Sequence, residues 1–365
     1  MPRPLRARFD LAALRHNHAI VRQYAPQTRV WSVVKANGYG HGLLRVAGAL
    51  GDVTDGLALI ELEGAIALRE AGLRQPILIL EGFYQADELP LFAEWQLTPV
   101  LHSLTQIEAF IAARLPLRLP VYLKLNTGMN RLGLNPDELA PALQALAAAE
   151  CAASVTLMTH FACADEATGV AAQMAQFARM TASLRLPVSL ANSAALLRFP
   201  ETVAGEGNWA RPGIMLYGAS PFPALQTAAE LGLRPVMTLE ADLIAVRDIA
   251  AGEAVGYGAS FVAGRPMRIG ILACGYADGY PRHAPSGTPV AIAGQRTRTL
   301  GRVSMDKMCI DLTGLEKVGV GDTAILWGGD EKSAVPADEV AAAAGTIAYE
   351  LFCGLAPRVP VIESD

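Results

Sequence analysis

Residues 29–42 read RVWSVVKANGYGHG. Val30 to Val34 is a β-branched and aromatic run, the composition of a strand buried on both faces. Lys35 ends it. Gly38, Gly40 and Gly42 then leave the backbone free to turn sharply, and a helical pattern starts near Leu43. A lysine at the carboxyl end of an apolar strand, over a glycine-rich turn, stands where α/β enzymes place chemistry. Desolvated there, its pKa falls and it serves as an amine nucleophile or base. Taken alone, the plainer reading is a lysine that snorkels to solvent from a strand end. The rest of the chain has to decide between them.

Outward from this stretch, short apolar runs alternate with helical patterns. Residues 11–25 read as an opening helix. Strands are predicted at 30–34, 56–60, 76–80, 97–101, 119–125, 154–160, 187–191 and near 207–211, with Ala/Leu/Glu-rich helical segments such as 61–71 and 136–149 between them. Eight strand–helix units in succession predict a (β/α)8 barrel of the TIM type, with a doubly wound sheet as the rival. The style changes near Gly232. TLEADLIAVRDI, EAVGYGASF, RIGILACGYADGY, TPVAIAG, RTRTLGRVSMDKMCIDL and DTAILWG are short alternating runs separated by Gly and Asp turns, interrupted by one helix near 336–344. The expectation is a barrel over 1–232 and a mainly β domain over 233–365.

The 365 residues are 52% hydrophobic and 18% charged, enough for a large core, and the net charge is -5. No basic stretch is interleaved with aromatics, so nucleic-acid binding has no electrostatic support. The opening MPRPLRARFD lacks the apolar core of a signal peptide, and no apolar run reaches membrane-spanning length. Cys151, Cys163, Cys274, Cys309 and Cys353 are scattered and without CxxC spacing, and read as reduced core thiols of a cytoplasmic protein. His16 and His18, two apart on a helix, make a poor metal pair, and no metal site is expected.

A barrel keeps its active site at the carboxyl ends of its strands. There stand Lys35 and Tyr39, then Lys124 and, seven residues on, Arg131 in KLNTGMNRLG. Thr159 and His160 follow, then Asn192 and Ser193 opening a helix, then Arg211 with Gly213 and Ile214 beyond. Each has a bland reading: Ser193 as a helix cap, His160 as a satisfied core histidine, Arg211 as a surface arginine. Together they converge on one mouth. The loops after the last two strands are the recurrent phosphate site of barrels, and Ser193 at a helix start offers a hydroxyl and backbone N–H groups. A lysine for an imine, a phosphate cradle and a residue for a pyridine nitrogen point to pyridoxal phosphate. No GxGxxG or Walker loop points to a dinucleotide or ATP.

VVKANGYGHG, KLNTGMNRLG, MTHFA, NSAA, RPGIMLYG, VGYGASF, GYADGYPR, RVSMDKMCIDL and YELFCGLAPRVP fall in one order along the whole chain. In this the sequence resembles alanine racemase, and WSVVKANGYGHG and LRPVMTL look more like its catabolic bacterial form. The resemblance implies a fold-type III pyridoxal phosphate enzyme: a barrel, a C-terminal β domain, and a homodimer whose active site joins the barrel mouth of one subunit to the β domain of the other. By motif, Lys35 would hold the cofactor as a Schiff base. Tyr39, Ser193, Gly213, Ile214 and Tyr349 would bind its phosphate, His160 would lie against the ring, and Arg211 would donate to the pyridine nitrogen. Arg131 would reach the cofactor's phenolic oxygen and the substrate carboxylate, which the backbone of Met305 from the partner would also bind. Lys124 matches a lysine often carboxylated in the family. Asp165, Arg282, Arg302 and Ile347 would line the entrance, with Tyr276 at its inner side. Asn192 and Asp306 stand as supporting residues.

Racemisation removes the α-proton from one face and returns one to the other, so two acid/base groups are needed. Lys35 supplies one face, and Tyr257, flanked by Gly256 and Gly258, the other. A phenol has a pKa of about 10, so a cationic neighbour must favour the phenolate; His160 polarised by Arg211 is the expected one. Arginine keeps its proton, so the pyridine nitrogen facing it would stay unprotonated, which disfavours transamination. The expected reaction is the interconversion of L- and D-alanine, for peptidoglycan or for catabolism. The rivals are a broader amino-acid racemase, a fold-type III decarboxylase, and a non-enzymatic pyridoxal phosphate carrier. The carrier would be a lone barrel, leaving the segment with Tyr257 and Met305 unexplained.

Overall fold

The apolar run after Arg29 is a strand, and seven more of its kind follow in a computed structural model that describes residues 3–205, 207–330 and 334–364. Counting the N-terminal strand Leu5–Asp10 as β1, these are β2 (Arg29–Val33), β3 (Gly56–Leu59), β4 (Ile77–Ile79), β5 (Leu97–Leu101), β6 (Leu119–Lys124), β7 (Ala152–Met158), β8 (Val188–Asn192) and β9 (Trp209–Arg211). All neighbours pair in parallel, and β9 pairs back onto β2 through Arg29–Trp209 and Val30–Ala210, closing the barrel. The doubly wound alternative is thereby excluded. β3, β4 and β5 are buried along their whole length, which is why they read as unbroken apolar runs. Trp31 from β2 stacks on Trp209 from β9 with ring centroids 4.1 Å apart, and its Nε1 donates to the Tyr122 hydroxyl at 2.9 Å. Gly56 is required beside it, because a Cβ there would strike the Trp31 ring. The predicted strand 154–160 starts two residues earlier and ends at Met158, leaving Thr159 and His160 in the loop beyond it.

The remaining strands are β10 (Met237–Ile249), β11 (Ala254–Val255), β12 (Phe261–Val262), β13 (Met267–Leu272), β14 (Pro289–Ile292), β15 (Gln295–Leu300), β16 (Met308–Asp311), β17 (Thr323–Trp327) and β18 (Val361–Ser364). Seven of these nine join β1 in one sheet, in the order β13-β16-β15-β14-β17-β10-β1-β18, and β11 and β12 form a ribbon. β1 lies antiparallel to β10 and parallel to β18. The alternation of LRARFD, buried at Leu5, Ala7 and Phe9, fits this half-buried setting.

The chain forms two compact units, one comprising Asn17–Gly38 and Gly42–Leu216, the other the residues up to His16, Tyr39–His41 and those from Tyr217 onward. The expected cut near residue 232 differs from this division because β1 is sheet-bound to β10 and because Tyr39 and His41 pack their rings on Tyr217. Among the described residues two α-helices, not one, accompany the β segment: Ala337–Ala343 and Ala348–Cys353. The second is too short to show a period in sequence. No two of the five cysteines form a disulfide, but Cys353 is exposed and only Cys274 is fully buried, which corrects the reading of all five as core thiols. Among the described residues no helix is long and apolar enough to cross a membrane.

Candidate active site

Lys35 leaves β2 half-buried, and the backbone after it turns left-handed. Ala36, Asn37, Gly38 and Tyr39 have φ of 52°, 54°, 63° and 51°, so four consecutive residues, three of them not glycine, occupy a region that costs roughly 1–2 kcal/mol per ordinary residue. The turn is held by side chains as well as backbone. Glu61 Oε1 accepts the Ala36 N–H at 3.2 Å, Asn37 Oδ1 accepts the Leu43 N–H at 2.8 Å, and the Val34 carbonyl accepts the Gly38 N–H at 2.9 Å. Gly40 must be glycine on two counts: its φ is 78°, and a Cβ would strike the Phe352 carbonyl. The glycines signalled a turn; its left-handed run through Ala36, Asn37 and Tyr39 carries no sequence signal.

β6 ends at Lys124, and the loop after it folds back. Leu134 N–H donates to the Lys124 carbonyl at 2.7 Å, and Asn126 N–H to the Leu134 carbonyl at 2.9 Å. Gly133, at φ 130°, permits this close return, since a Cβ would lie 2.6 Å from Asn126 N. Arg131 is thereby brought into a crevice with Lys124, Thr127, Thr159 and His160. Lys124 is buried, and burial, then Arg211 and Arg131, lower its ammonium pKa to about 8.

Arg211 ends β9 with its side chain in the barrel. One terminal nitrogen donates to the Ser189 carbonyl and hydroxyl at 2.7 and 2.6 Å, the other to the Thr159 carbonyl at 2.6 Å and the Leu190 carbonyl at 3.2 Å. Those contacts fix the guanidinium plane, and among the described residues no acceptor takes the Nε–H. Arg211 is therefore a buried, satisfied arginine, not a surface one. His160 is half-buried, and burial, Arg211, Lys124, Arg131 and Lys35 all hold its imidazole well below the ordinary range. This favours the neutral ring, with the positive potential at the mouth carried by the arginines and lysines around it. Gln173, which the sequence reading missed, fixes the loop at His160. Its amide donates to the His160 carbonyl at 3.1 Å and to Thr127 Oγ1 at 3.0 Å, and its oxygen accepts the Ala162 N–H at 2.8 Å.

The helix Ser193–Arg198 is capped by Asn192, whose Oδ1 accepts the Ala195 N–H at 2.9 Å. Ser193 is thus not the cap. Its hydroxyl oxygen accepts the Gly213 N–H at 2.8 Å, joining the turn after β8 to the turn after β9. Ile214 then opens the short helix Ile214–Tyr217; Leu216 N–H donates to the Gly213 carbonyl at 2.9 Å, and the N–H groups of Ile214 and Met215 before it lack intrahelical partners by geometry. Asp165 lies exposed in the loop after β7.

The remaining predicted residues belong to the other unit. Tyr39 is buried, stacked on Tyr217 at 4.6 Å and tilted against Tyr349 at 5.9 Å, and burial raises its phenol pKa. Tyr257 is 71% exposed in a turn where Gly256 and Gly258 both have positive φ, 74° and 70°. Met305 and Ile347 are also exposed, and Tyr276 is at the edge of exposure. Arg302 packs beside Gly258, where a Cβ would meet its guanidinium at 3.0 Å, and it lines a pocket with Arg282, His283 and Ser260. Asp306 accepts from Arg358 at 2.7 Å.

The family description "Alanine racemase, N-terminal domain" matches residues 9–221, and "Alanine racemase, C-terminal domain" matches 236–363. An alanine racemase of Laribacter hongkongensis is 56% identical over 360 residues, covering 99% of this chain and 98% of that protein. A catabolic alanine racemase of Salmonella typhimurium is 49% identical over 362 residues, covering 99% of each chain. The biosynthetic alanine racemase of Pseudomonas aeruginosa superposes with a TM-score of 0.94 at 46% identity over 100% of both chains. That of Bartonella henselae, with covalently bound pyridoxal phosphate, gives 0.87 at 30% identity, also over 100% of both.

Proposed function

The chain belongs to the alanine racemase family, an isomerase family, and we propose that it interconverts L- and D-alanine at the barrel mouth with pyridoxal phosphate bound through Lys35. The observation that carries this is the charge of the mouth. Lys35, Lys124, Arg131 and Arg211 lie near enough to depress the pKa of His160 together. Such a cluster fits a ligand carrying a phosphate, a phenolic oxygen and a substrate carboxylate. The leftover Nε–H of Arg211 fits an unprotonated ring nitrogen, and the Ser193 hydroxyl with the first-turn N–H groups at Ile214 fits the phosphate.

Pyridoxal phosphate, when bound, acidifies the α-hydrogen of an amino acid by accepting the electrons left behind. The protein's part is to hold the proton. Lys35 takes it on one face through its neutral amine, and Tyr257 on the other through its phenolate. Arg131 orients the substrate carboxylate with the Met305 N–H. By the family pattern a second copy of the chain supplies Tyr257 and Met305, and their exposure supports that reading. Tyr39 and Tyr349 are assigned to the phosphate, Asp165, Tyr276, Arg282, Arg302 and Ile347 to the entrance. Lys124, half neutral near pH 8, is poised to add carbon dioxide at its amine with release of a proton to solvent, and the resulting anionic carbamate would hold Arg131. We place the enzyme in the cytoplasm as a homodimer, supplying D-alanine for peptidoglycan or opening alanine to catabolism.

Chiral chromatography after incubation with a panel of L-amino acids tests this. D-alanine as the dominant product, approaching an equal mixture, supports the reading. Amines or keto acids would move the protein to a decarboxylase or transaminase, and bound cofactor without conversion to a carrier.

A further inference from the structure

Met305 offers one polar group outward. Its carbonyl accepts the Ala277 N–H at 3.0 Å, and the Ser304 carbonyl accepts the Tyr276 N–H, also at 3.0 Å. Among the described residues nothing accepts the N–H of Met305 itself, and the residue is 53% exposed. The segment is pressed against the turn Tyr276–Asp278, and Gly275 allows this, because a Cβ there would strike the Ser304 and Met305 carbonyls.

Asp278 sits behind that turn with its carboxylate fully buried. Oδ1 takes Arg3 at 2.7 Å and Arg358 Nε at 2.8 Å; Oδ2 takes Arg3 at 3.0 Å and the Gly275 N–H at 2.9 Å. The same two arginines grip the residue after Met305. Arg358 donates to the Asp306 carboxylate at 2.7 Å, and Arg3 donates to the Asp306 carbonyl at 3.1 Å. One buried carboxylate thus holds two guanidiniums, and they fix the side chain and carbonyl of Asp306, next to Met305. Burying a charge with this many donors is favourable only while the whole set is intact. Removing the carboxylate would leave Arg3 with backbone carbonyls and Arg358 with the Asp306 carboxylate alone, loosening Asp306 while Ser304 and Met305 keep their backbone bonds to the turn.

We propose that Asp278, through Arg3 and Arg358, is a positioning residue that aims the Met305 N–H at a small carboxylate. It touches no substrate. The proposal rests on the assignment of Met305 to the substrate carboxylate given above.

The test is Asp278→Asn in the cofactor-loaded enzyme, with propanoate as a probe that has the carboxylate and lacks the amine. The expected result is a KM for alanine and a propanoate Kd each raised about tenfold, with kcat within about twofold and the absorbance of bound cofactor unchanged. Arg3→Gln, on a half-exposed side chain, should shift KM the same way by less, and Arg358→Lys should recover part of the loss seen in Arg358→Gln. If Asp278→Asn does not fold, the arginine variants decide. An unchanged KM and propanoate Kd, or activity falling only in proportion to folded protein, would overturn the proposal. If the wild type racemises no alanine, the assigned reaction falls. Propanoate binding to the wild type that weakens in Asp278→Asn would still uphold the positioning role.

Discussion

Ser193 Oγ accepts the Gly213 N–H at 2.8 Å, one bond that ties the ends of two adjacent barrel strands. Because Asn192 caps the helix, the two neighbours have separable duties. Ser193→Ala should weaken pyridoxal phosphate binding about tenfold and, by leaving the buried Gly213 N–H without its acceptor, cost about 1–3 kcal/mol of stability. Asn192→Ala should cost about 1 kcal/mol of stability through the lost cap. Cofactor titration of the apo protein beside thermal melts measures both, and a stability loss in Ser193→Ala without weaker binding would make that serine structural.

Arg211 spends both terminal nitrogens on Ser189, Leu190 and Thr159. Lysine keeps the charge but has no fork. Arg211→Lys should therefore destabilise the apo protein by roughly 2–4 kcal/mol, from acceptors left unsatisfied around a buried charge, besides slowing racemisation. Melting of apo protein is the check; an unchanged apo Tm with slowed turnover would show that its contacts to the barrel carry little.

For Tyr257→Phe the informative readout is isotope exchange. L- and D-alanine are equal in energy, so kcat/KM must fall equally in both directions. If Lys35 takes the proton from D-alanine and Tyr257 from L-alanine, the variant should still exchange the α-hydrogen of D-alanine with D2O, without inversion. L-alanine should exchange slowly. Loss of bound cofactor in this variant would instead make Tyr257 a structural residue.

Much of this site is legible in sequence, and its limits have physical causes. Lys35, Lys124, Ser193 and Arg211 stand at strand ends because a parallel strand covered on both faces writes itself as an apolar run that stops where the polar residue begins. The left-handed turn was hidden because Ala36, Asn37 and Tyr39 are ordinary residues placed there by contacts such as Glu61 with the Ala36 N–H. β1 was hidden because its pairing partners, β10 and β18, are more than two hundred residues away. Gln173 reads as any polar helix residue; only the fold shows it buried against His160. The lowered pKa of His160 comes from burial and from four cations brought in from three separate strand ends.

Asp338, at the start of the helix Ala337–Ala343, is a buried carboxyl whose pKa burial raises to about 6, although it accepts the Ser220 N–H at 3.1 Å. A raised acid contributes stability below its unfolded pKa and loses it as pH climbs through the folded value. Between about pH 4 and 6 its contribution should therefore fade. Asp338→Asn should raise stability at pH 7.5 by roughly 1–2 kcal/mol and change little at pH 4. Denaturant melts at the two pH values measure it, and an equal effect at both would point to packing alone.

The most direct test concerns which lysine of the mouth holds the cofactor. Borohydride reduction of the pyridoxal phosphate-loaded protein, followed by digestion and peptide mass spectrometry, places the label. The label is expected on Lys35, in the peptide carrying the left-handed turn. A label on Lys124 instead, or no fixed label while alanine is still racemised, would contradict it.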